Sequence, residues 1–192
     1  MRFKGARMEA LLTSTAVVAI AEIGDKTQLL AMVLAARFRR PWPIVLGILV
    51  ATLANHFLAA LAGTLVAGLL DGMWFRYAVG ISFIAMALWT LVPDKFDEDD
   101  TPVSRGGVFW TTCVAFFLVE IGDKTQVATI ALGAQFGSVV LVTMGTTLGM
   151  LLANAPVVWL GDKLVSKVPM GAVRAVAAAL FAGIGIWVLL SV

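Results

Sequence analysis

The sequence predicts an all-α membrane protein of six transmembrane helices, arranged as two inverted three-helix repeats. Three observations carry that prediction. The first is composition: 60% of residues are hydrophobic, 14% are charged and mean hydropathy is +0.96, whereas a soluble domain carries roughly 25% charged residues. At about 20 residues per span, 192 residues hold six or seven helices and no sizeable soluble domain. The second is punctuation, because hydrophilic clusters divide the chain into six apolar stretches. The third is an internal duplication that relates its two halves.

The first span runs from Leu11 to Ala36 and is closed by Arg37, Arg39, Arg40 and Pro41-Trp42-Pro43, which helices rarely cross. The second, Ile44 to Leu70, is interrupted only by Asn55 and His56. Asp71-Gly72 marks a turn, and Tyr77 to Val92 is the third span. Pro93 to Gly106, with Asp94, Lys95, Asp97, Glu98, Asp99 and Asp100, is the one strongly hydrophilic segment and reads as a solvated linker. The fourth span is Val108 to Ala134, the fifth Val139 to Leu160 and the sixth Ala172 to Leu190. Gly161-Asp162-Lys163 and Lys167-Val168-Pro169 separate the last two.

The expected organisation is therefore a first three-helix repeat over residues 8–92, an acidic cytoplasmic loop over 93–106 and a second repeat over 107–192. Nothing before Met8 carries a structural signal. The opening basic residues and apolar run resemble a signal peptide, but no small-residue cleavage site precedes Glu22, so the segment reads as an uncleaved first helix.

The duplication is plainest in Glu-Ile-Gly-Asp-Lys-Thr-Gln, which occurs at Glu22–Gln28 and again at Glu120–Gln126. Gly47 and Gly145, Arg76 and Arg174, Phe83 and Phe181, and Trp89 and Trp187 keep the same 98-residue separation as Glu22 and Glu120. Asn55 and Asn154 correspond with a one-residue offset. An odd number of spans returns the second copy in the opposite orientation, so the halves should be related by a pseudo-two-fold axis in the membrane plane. Inverted repeats with a midplane site are a transporter signature.

Loops one, three and five carry Arg37, Arg39, Arg40, Lys95, Arg105, Lys163, Lys167 and Arg174, whereas the opposite side has Arg2, Lys4, Arg7 and Arg76. The excess of lysine and arginine assigns the odd loops to the cytoplasm and both termini to the outside. The lipid bilayer is the first partner. No aromatic-interleaved basic patch suggests nucleic acid.

Each heptapeptide places three ionisable residues inside an apolar stretch, where one costs about 2.5–3.5 kcal/mol to insert. On a regular helix Glu22 and Asp25 share a face, as do Glu120 and Asp123, and inverted symmetry would gather all four at one midplane metal site. Lys26 and Lys124 cancel half of that charge, and the remaining two negative charges match one divalent cation. Gln28, Gln126, Asn55 and Asn154 add oxygen donors, a chemistry suited to Mg²⁺, Ca²⁺ and Mn²⁺. Gly24 and Gly122 permit close helix approach or local unwinding. Thr27 and Thr125 turn away from the glutamates if the helix is regular and bond back to their own helix.

A structural alternative makes each motif a self-neutralising pair, Glu22 with Lys26, that only cements packing. Buried ion pairs stabilise poorly beside apolar packing, and two identical copies exceed what packing requires. Cys113, the one cysteine, reads as a small packing residue. His56, the one histidine, reads as a packed or hydrogen-bonded core residue without a catalytic role. No serine or cysteine has a neighbouring general base, so an enzyme is not expected. A cation channel and a non-transporting membrane scaffold subunit stay open as other readings.

With Glu-x-Gly-Asp-Lys-Thr in both halves, the chain resembles the Glu-x-Gly-Asp-(Lys/Arg)-(Thr/Ser) family of divalent cation transporters. That family belongs to the cation/calcium exchanger group and includes Golgi, thylakoid and chloroplast-envelope members. The resemblance covers essentially the whole chain. It implies export of Mn²⁺, with Ca²⁺ as a second substrate, from the cytoplasm in exchange for protons, without a prosthetic group. The implied metal residues are Glu22, Asp25, Glu120 and Asp123, with Lys26, Thr27, Lys124 and Thr125 completing the motifs. No targeting extension precedes the first helix, as expected of a compact bacterial plasma-membrane member, and a homodimer is the candidate oligomer because small membrane transporters often pair.

Overall fold

The computed structural model describes residues 2–69, 72–93, 106–160 and 169–191. Among them the regular structure is entirely helical: α1 (Arg2–Ala21), α2 (Lys26–Phe38), α3 (Pro41–Leu69), α4 (Met73–Thr90), α5 (Gly107–Glu120), α6 (Lys124–Phe136), α7 (Val139–Leu160) and α8 (Met170–Leu190). Four of these, α3, α4, α7 and α8, are long and apolar enough to cross a membrane. The expected turn at Asp71, the acidic run from Asp94 to Asp100 and the loop residues Gly161, Asp162, Lys163, Lys167 and Val168 lie outside the described residues.

The largest departure from expectation is that spans one and four are not continuous helices. Each is broken within its heptapeptide, between Ala21 and Lys26 and between Glu120 and Lys124. The cause is a glycine with positive φ, +81° at Gly24 and +77° at Gly122, a conformation that costs a residue bearing Cβ about 1–2 kcal/mol. The next residues, Asp25 (φ −80°, ψ 167°) and Asp123 (φ −81°, ψ 166°), are extended and cap α2 and α6. The two breaks are thus conformational twins. At 13 residues, α2 and α6 are each about 20 Å long, short of a hydrocarbon core of about 30 Å.

Two smaller differences concern helix starts. Pro41 and Pro43 open α3 rather than only ending the span before it, because proline is tolerated in a helix's first turn. The stop comes from Arg39, which is left-handed at φ 52° and returns its N–H to the Ala35 carbonyl. Also, α1 begins at Arg2, ahead of Leu11, where the first span was expected to start.

Packing runs mainly between the halves: α1 lies on α7, α4 on α8, and α3 on α5, α6 and α7. The equivalent glycines Gly47 and Gly145 permit two of these contacts. A Cβ at Gly47 would come within 2.7 Å of Thr112 Cβ, and one at Gly145 within 2.6 Å of the Leu11 carbonyl oxygen. Small residues at such crossings let backbones approach. Phe83 and Phe181, another equivalent pair, stack on each other at 6.4 Å between α4 and α8. They join Val79, Met86 and Val188 in one apolar core, while Leu30, Leu34, Ile48, Phe116 and Met150 belong to a second. Cys113 packs against the second core.

The outer surface is apolar as well. Leu12, Leu65, Leu88, Leu152 and Leu190 are all more than half exposed, and Trp89 and Trp187 stand outward. Soluble monomers rarely present so much apolar surface, whereas lipid tails solvate it.

The breaks give a direct stability test. Nothing lies within 4 Å of a Cβ built at Gly122, so Gly122→Ala should lose only the backbone term, about 1–2 kcal/mol, and melt earlier in detergent. Gly122→Asn should recover part of the loss because asparagine tolerates the left-handed region. An alanine variant as stable as the wild type would remove positive φ as the cause of the break.

Candidate metal centre

Breaking a helix frees backbone groups and points side chains inward that a continuous helix would spread around its axis. In each motif the glutamine closes part of the gap. Gln28 Oε1 accepts the Gly24 N–H at 2.9 Å, and Gln126 Oε1 accepts the Gly122 N–H at 2.8 Å. The same glutamines reach the other half: Gln28 Nε2 donates to the Ala153 carbonyl at 3.0 Å and Gln126 Nε2 to Asn55 Oδ1 at 3.4 Å. Each broken helix is thereby tied to the middle of the opposing long helix.

Glu22, Glu120 and Asp123 converge, each offering an oxygen such that all three lie within 4.8 Å of one another. All three are buried, both glutamates completely. Asp25 is buried too but lies outside this group, and its backbone carbonyl accepts from Gln28 and Leu29. The expectation of a shared helical face within each motif does not hold, since Glu22 and Asp25 flank a break rather than occupying successive turns.

The same break reverses the expectation for the threonines. Thr27 Oγ1 donates to Glu22 Oε2. Thr125 Oγ1 donates to Asp123 Oδ2 at 3.0 Å and to Glu120 Oε2 at 3.3 Å. Asn154 Nδ2 also donates to Glu22 Oε2, at 3.3 Å, and to Met150 Sδ at 2.9 Å. Asn55 Nδ2 donates to the Phe117 carbonyl at 2.9 Å.

These donors address one oxygen of each glutamate and leave the other. Glu22 Oε1, Glu120 Oε1 and Asn154 Oδ1 are buried with no hydrogen-bond partner. An unsatisfied buried polar group costs about 1–3 kcal/mol, and more when charged. A carboxylate pinned through one oxygen with its second oxygen unsatisfied is how ligating carboxylates are held for a cation.

The charge pairing also differs from the self-neutralising alternative. Lys26 Nζ lies 3.0 Å from Asp123 Oδ1 in the other half, and Lys124 Nζ donates to the Val92 carbonyl at 3.2 Å. Three ionised carboxylates with Lys26 leave two negative charges, which suits one divalent cation in a set of oxygen donors.

One residue given no role by its sequence context lies beside this group, next to Glu120 but outside the three carboxylates that close to within 4.8 Å. His56 is fully buried, with Nε2 3.6 Å from Glu120 Oε2, and neither ring nitrogen has a hydrogen-bond partner. The available signal was its position beside Asn55 within a long apolar helix.

The Lys26–Asp123 pairing predicts the outcome of a double-mutant cycle. Lys26→Gln and Asp123→Asn should couple by about 1.5–3 kcal/mol, the range for a hydrogen bond to a charged group, in thermal unfolding. Lys26→Gln with Glu22→Gln should show much weaker coupling, and the reverse order would restore pairing within one motif.

The sequence profile of the family described as "Divalent cation/proton antiporter GDT1" matches residues 10–98 and 108–192. A Vibrio cholerae protein named "Putative manganese exporter" is 50% identical over 175 residues, covering 91% of this chain and 87% of that protein. GDT1-like protein 4 of Oryza sativa subsp. indica is 26% identical over 201 aligned positions, covering 91% of this chain and 71% of that protein. GDT1-like protein sll0615 of Synechocystis is 27% identical over 149 positions, covering 67% and 71%. No solved structure matches the chain significantly. Because the profile spans nearly all of both halves, this multi-pass membrane protein belongs to the GDT1 divalent cation/proton antiporter family.

Proposed function

We propose that the chain exports a divalent cation, Mn²⁺ foremost and Ca²⁺ as a second substrate, from the cytoplasm in exchange for protons. The observation that carries this reading is the buried group of Glu22, Glu120 and Asp123, drawn from both heptapeptides, with glutamate oxygens left unsatisfied. The family and the name of the Vibrio relative support the cation and the proton coupling.

The proposed architecture is six spans in two inverted repeats, residues 8–92 and 107–192, joined by the acidic cytoplasmic segment 93–106. Here α1 with α2, and α5 with α6, each form one broken span. Two features support it. The breaks share one backbone conformation, and exchanging the halves preserves the most extensive helix contacts, since α1 on α7 becomes α5 on α3 and α4 on α8 maps to itself, while the smaller contacts of α4 with α6 and α1 with α8 have no counterpart of that size. A pseudo-two-fold relation has that property. Broken helices meeting at a repeat interface are the usual setting of a transport site. The lysine and arginine distribution favours cytoplasmic odd loops and outward termini, in what we take to be a plasma (inner) membrane.

In this reading the metal residues are Glu22, Asp25, Glu120 and Asp123, although three of them share the centre in the conformation described. Rocking of one repeat against the other would exchange their roles and bring Asp25 to the place that Asp123 takes now. Protons arriving from the outside compete with the cation for the glutamate oxygens, and protonation releases it outward. An electroneutral cycle takes two protons per divalent ion. Protonation from outside drives release, so export should slow as the outer solution is made alkaline.

Purified protein in sealed liposomes tests the reading. A Mn²⁺ gradient should drive proton movement, and Glu22→Gln or Glu120→Gln should lower it by more than about 100-fold, beyond the 10–100-fold loss typical of groups that merely orient ligands. Flux of Mn²⁺ independent of protons would indicate a channel, and no flux of any divalent ion a scaffold. Asp25→Asn separates the roles of the two aspartates: it should stop turnover while preserving Mn²⁺ binding, whereas Asp123→Asn should lose both. Normal transport by Asp25→Asn would contradict the exchange of roles.

A further inference from the structure

We propose that His56 is a ligand of the transported cation, adding one nitrogen donor beside Glu120 to an otherwise all-oxygen centre and biasing it toward Mn²⁺ over Ca²⁺. The inference rests on reading the carboxylate group as the cation site. It goes beyond that reading because His56 lies outside both heptapeptides.

Four observations converge on the imidazole. It is fully buried in the middle of α3. Both ring nitrogens lack hydrogen-bond partners, an arrangement that costs about 1–3 kcal/mol per group and would make an apolar residue the better choice for packing alone. Its Nε2 stands at the Glu120 edge of the carboxylate group, 3.6 Å from Oε2. That is too long for a hydrogen bond, yet it sets Nε2 beside the Glu120 carboxylate, whose other oxygen, Oε1, is the unsatisfied one, so that both side chains can reach one ion at donor distances of about 2.0–2.6 Å. Finally, the second half carries Ala155 after Asn154 where the first carries His56 after Asn55. The duplicated scaffold therefore accepts alanine at this position, and the imidazole is an addition to it.

The chemical consequence is selectivity. Mn²⁺ shares the carboxylate and carbonyl donors of Ca²⁺ and Mg²⁺, but as a first-row transition ion it also accepts an imidazole nitrogen, whereas Ca²⁺ takes six to eight oxygen ligands. One neutral nitrogen leaves the charge balance with a divalent ion unchanged while making the centre less suited to Ca²⁺.

The test uses the fact that this chain has a single histidine. The full-length protein, purified without a polyhistidine tag and loaded with Mn²⁺, is measured by pulsed electron paramagnetic resonance. Modulation from a coordinated ¹⁴N nucleus is expected, converting to the ¹⁵N pattern when the protein is made with ¹⁵N-labelled histidine, with no substitution needed. As a second readout, His56→Gln should lower the Mn²⁺ over Ca²⁺ preference in competition binding by at least about tenfold. Mn²⁺ bound in a Glu120-dependent manner without nitrogen modulation would overturn the role of His56 and leave the cation site standing. An unchanged preference in His56→Gln would overturn the selectivity claim. Mn²⁺ binding unaffected by both Glu22→Gln and Glu120→Gln would overturn the underlying site reading, and His56 with it.

Discussion

The structure depends on holding carboxylates where water cannot solvate them. A continuous helix satisfies its own backbone and can bring one or two acids to a given face. Glu22, Glu120 and Asp123 meet within 4.8 Å at a break in each motif helix. Gly24 and Gly122 supply that break through positive φ, and Gln28 and Gln126 close it by accepting the freed glycine N–H groups. The long helices α3 and α7 contribute Asn55 and Asn154 from the opposite side of each junction. Apolar packing around Phe83, Phe181, Ile48 and Met150 holds these parts in register.

Much of this was legible in the sequence. The repeated heptapeptide pointed to the acids, three of which converge, the hydropathy pattern marked apolar stretches of which four are helices long enough to cross a membrane, and the 98-residue spacing of Gly47 with Gly145 and Phe83 with Phe181 marked positions that pack at equivalent contacts. The breaks were not legible, because Ala, Val, Ile and Leu on both sides of the motif keep the hydropathy of spans one and four continuous. Glycine at positions 24 and 122 was compatible with either close approach or unwinding, and only φ distinguishes them. The roles assigned to Thr27 and Thr125 followed the regular-helix assumption and failed with it. Pairing of Lys26 with Asp123 depends on tertiary approach, which spacing within one motif cannot reveal. His56 was discounted because one histidine in an apolar run says nothing about which side chain of another element it meets.

The two heptapeptides are identical in sequence and nearly identical in backbone, yet they make different contacts. Asp123 sits with the two glutamates while Asp25 lies outside them. Gln28 reaches the Ala153 carbonyl of α7, whereas Gln126 reaches the Asn55 side chain of α3. Identical segments in different environments are what a pair of repeats shows when the molecule occupies one of two related conformations. In the proposed cycle the difference between the motifs is therefore a property of state, while the difference between His56 and Ala155 is permanent and belongs to the chemistry of the ion.

The central claim is that one divalent cation is held jointly by carboxylates of both motifs. Anomalous diffraction at the manganese edge, from crystals of the Mn²⁺-loaded protein, tests it most directly. The account predicts a single strong peak within coordination distance of oxygens from both Glu22 and Glu120. A peak held by one motif alone, or placed away from both glutamates, would contradict it.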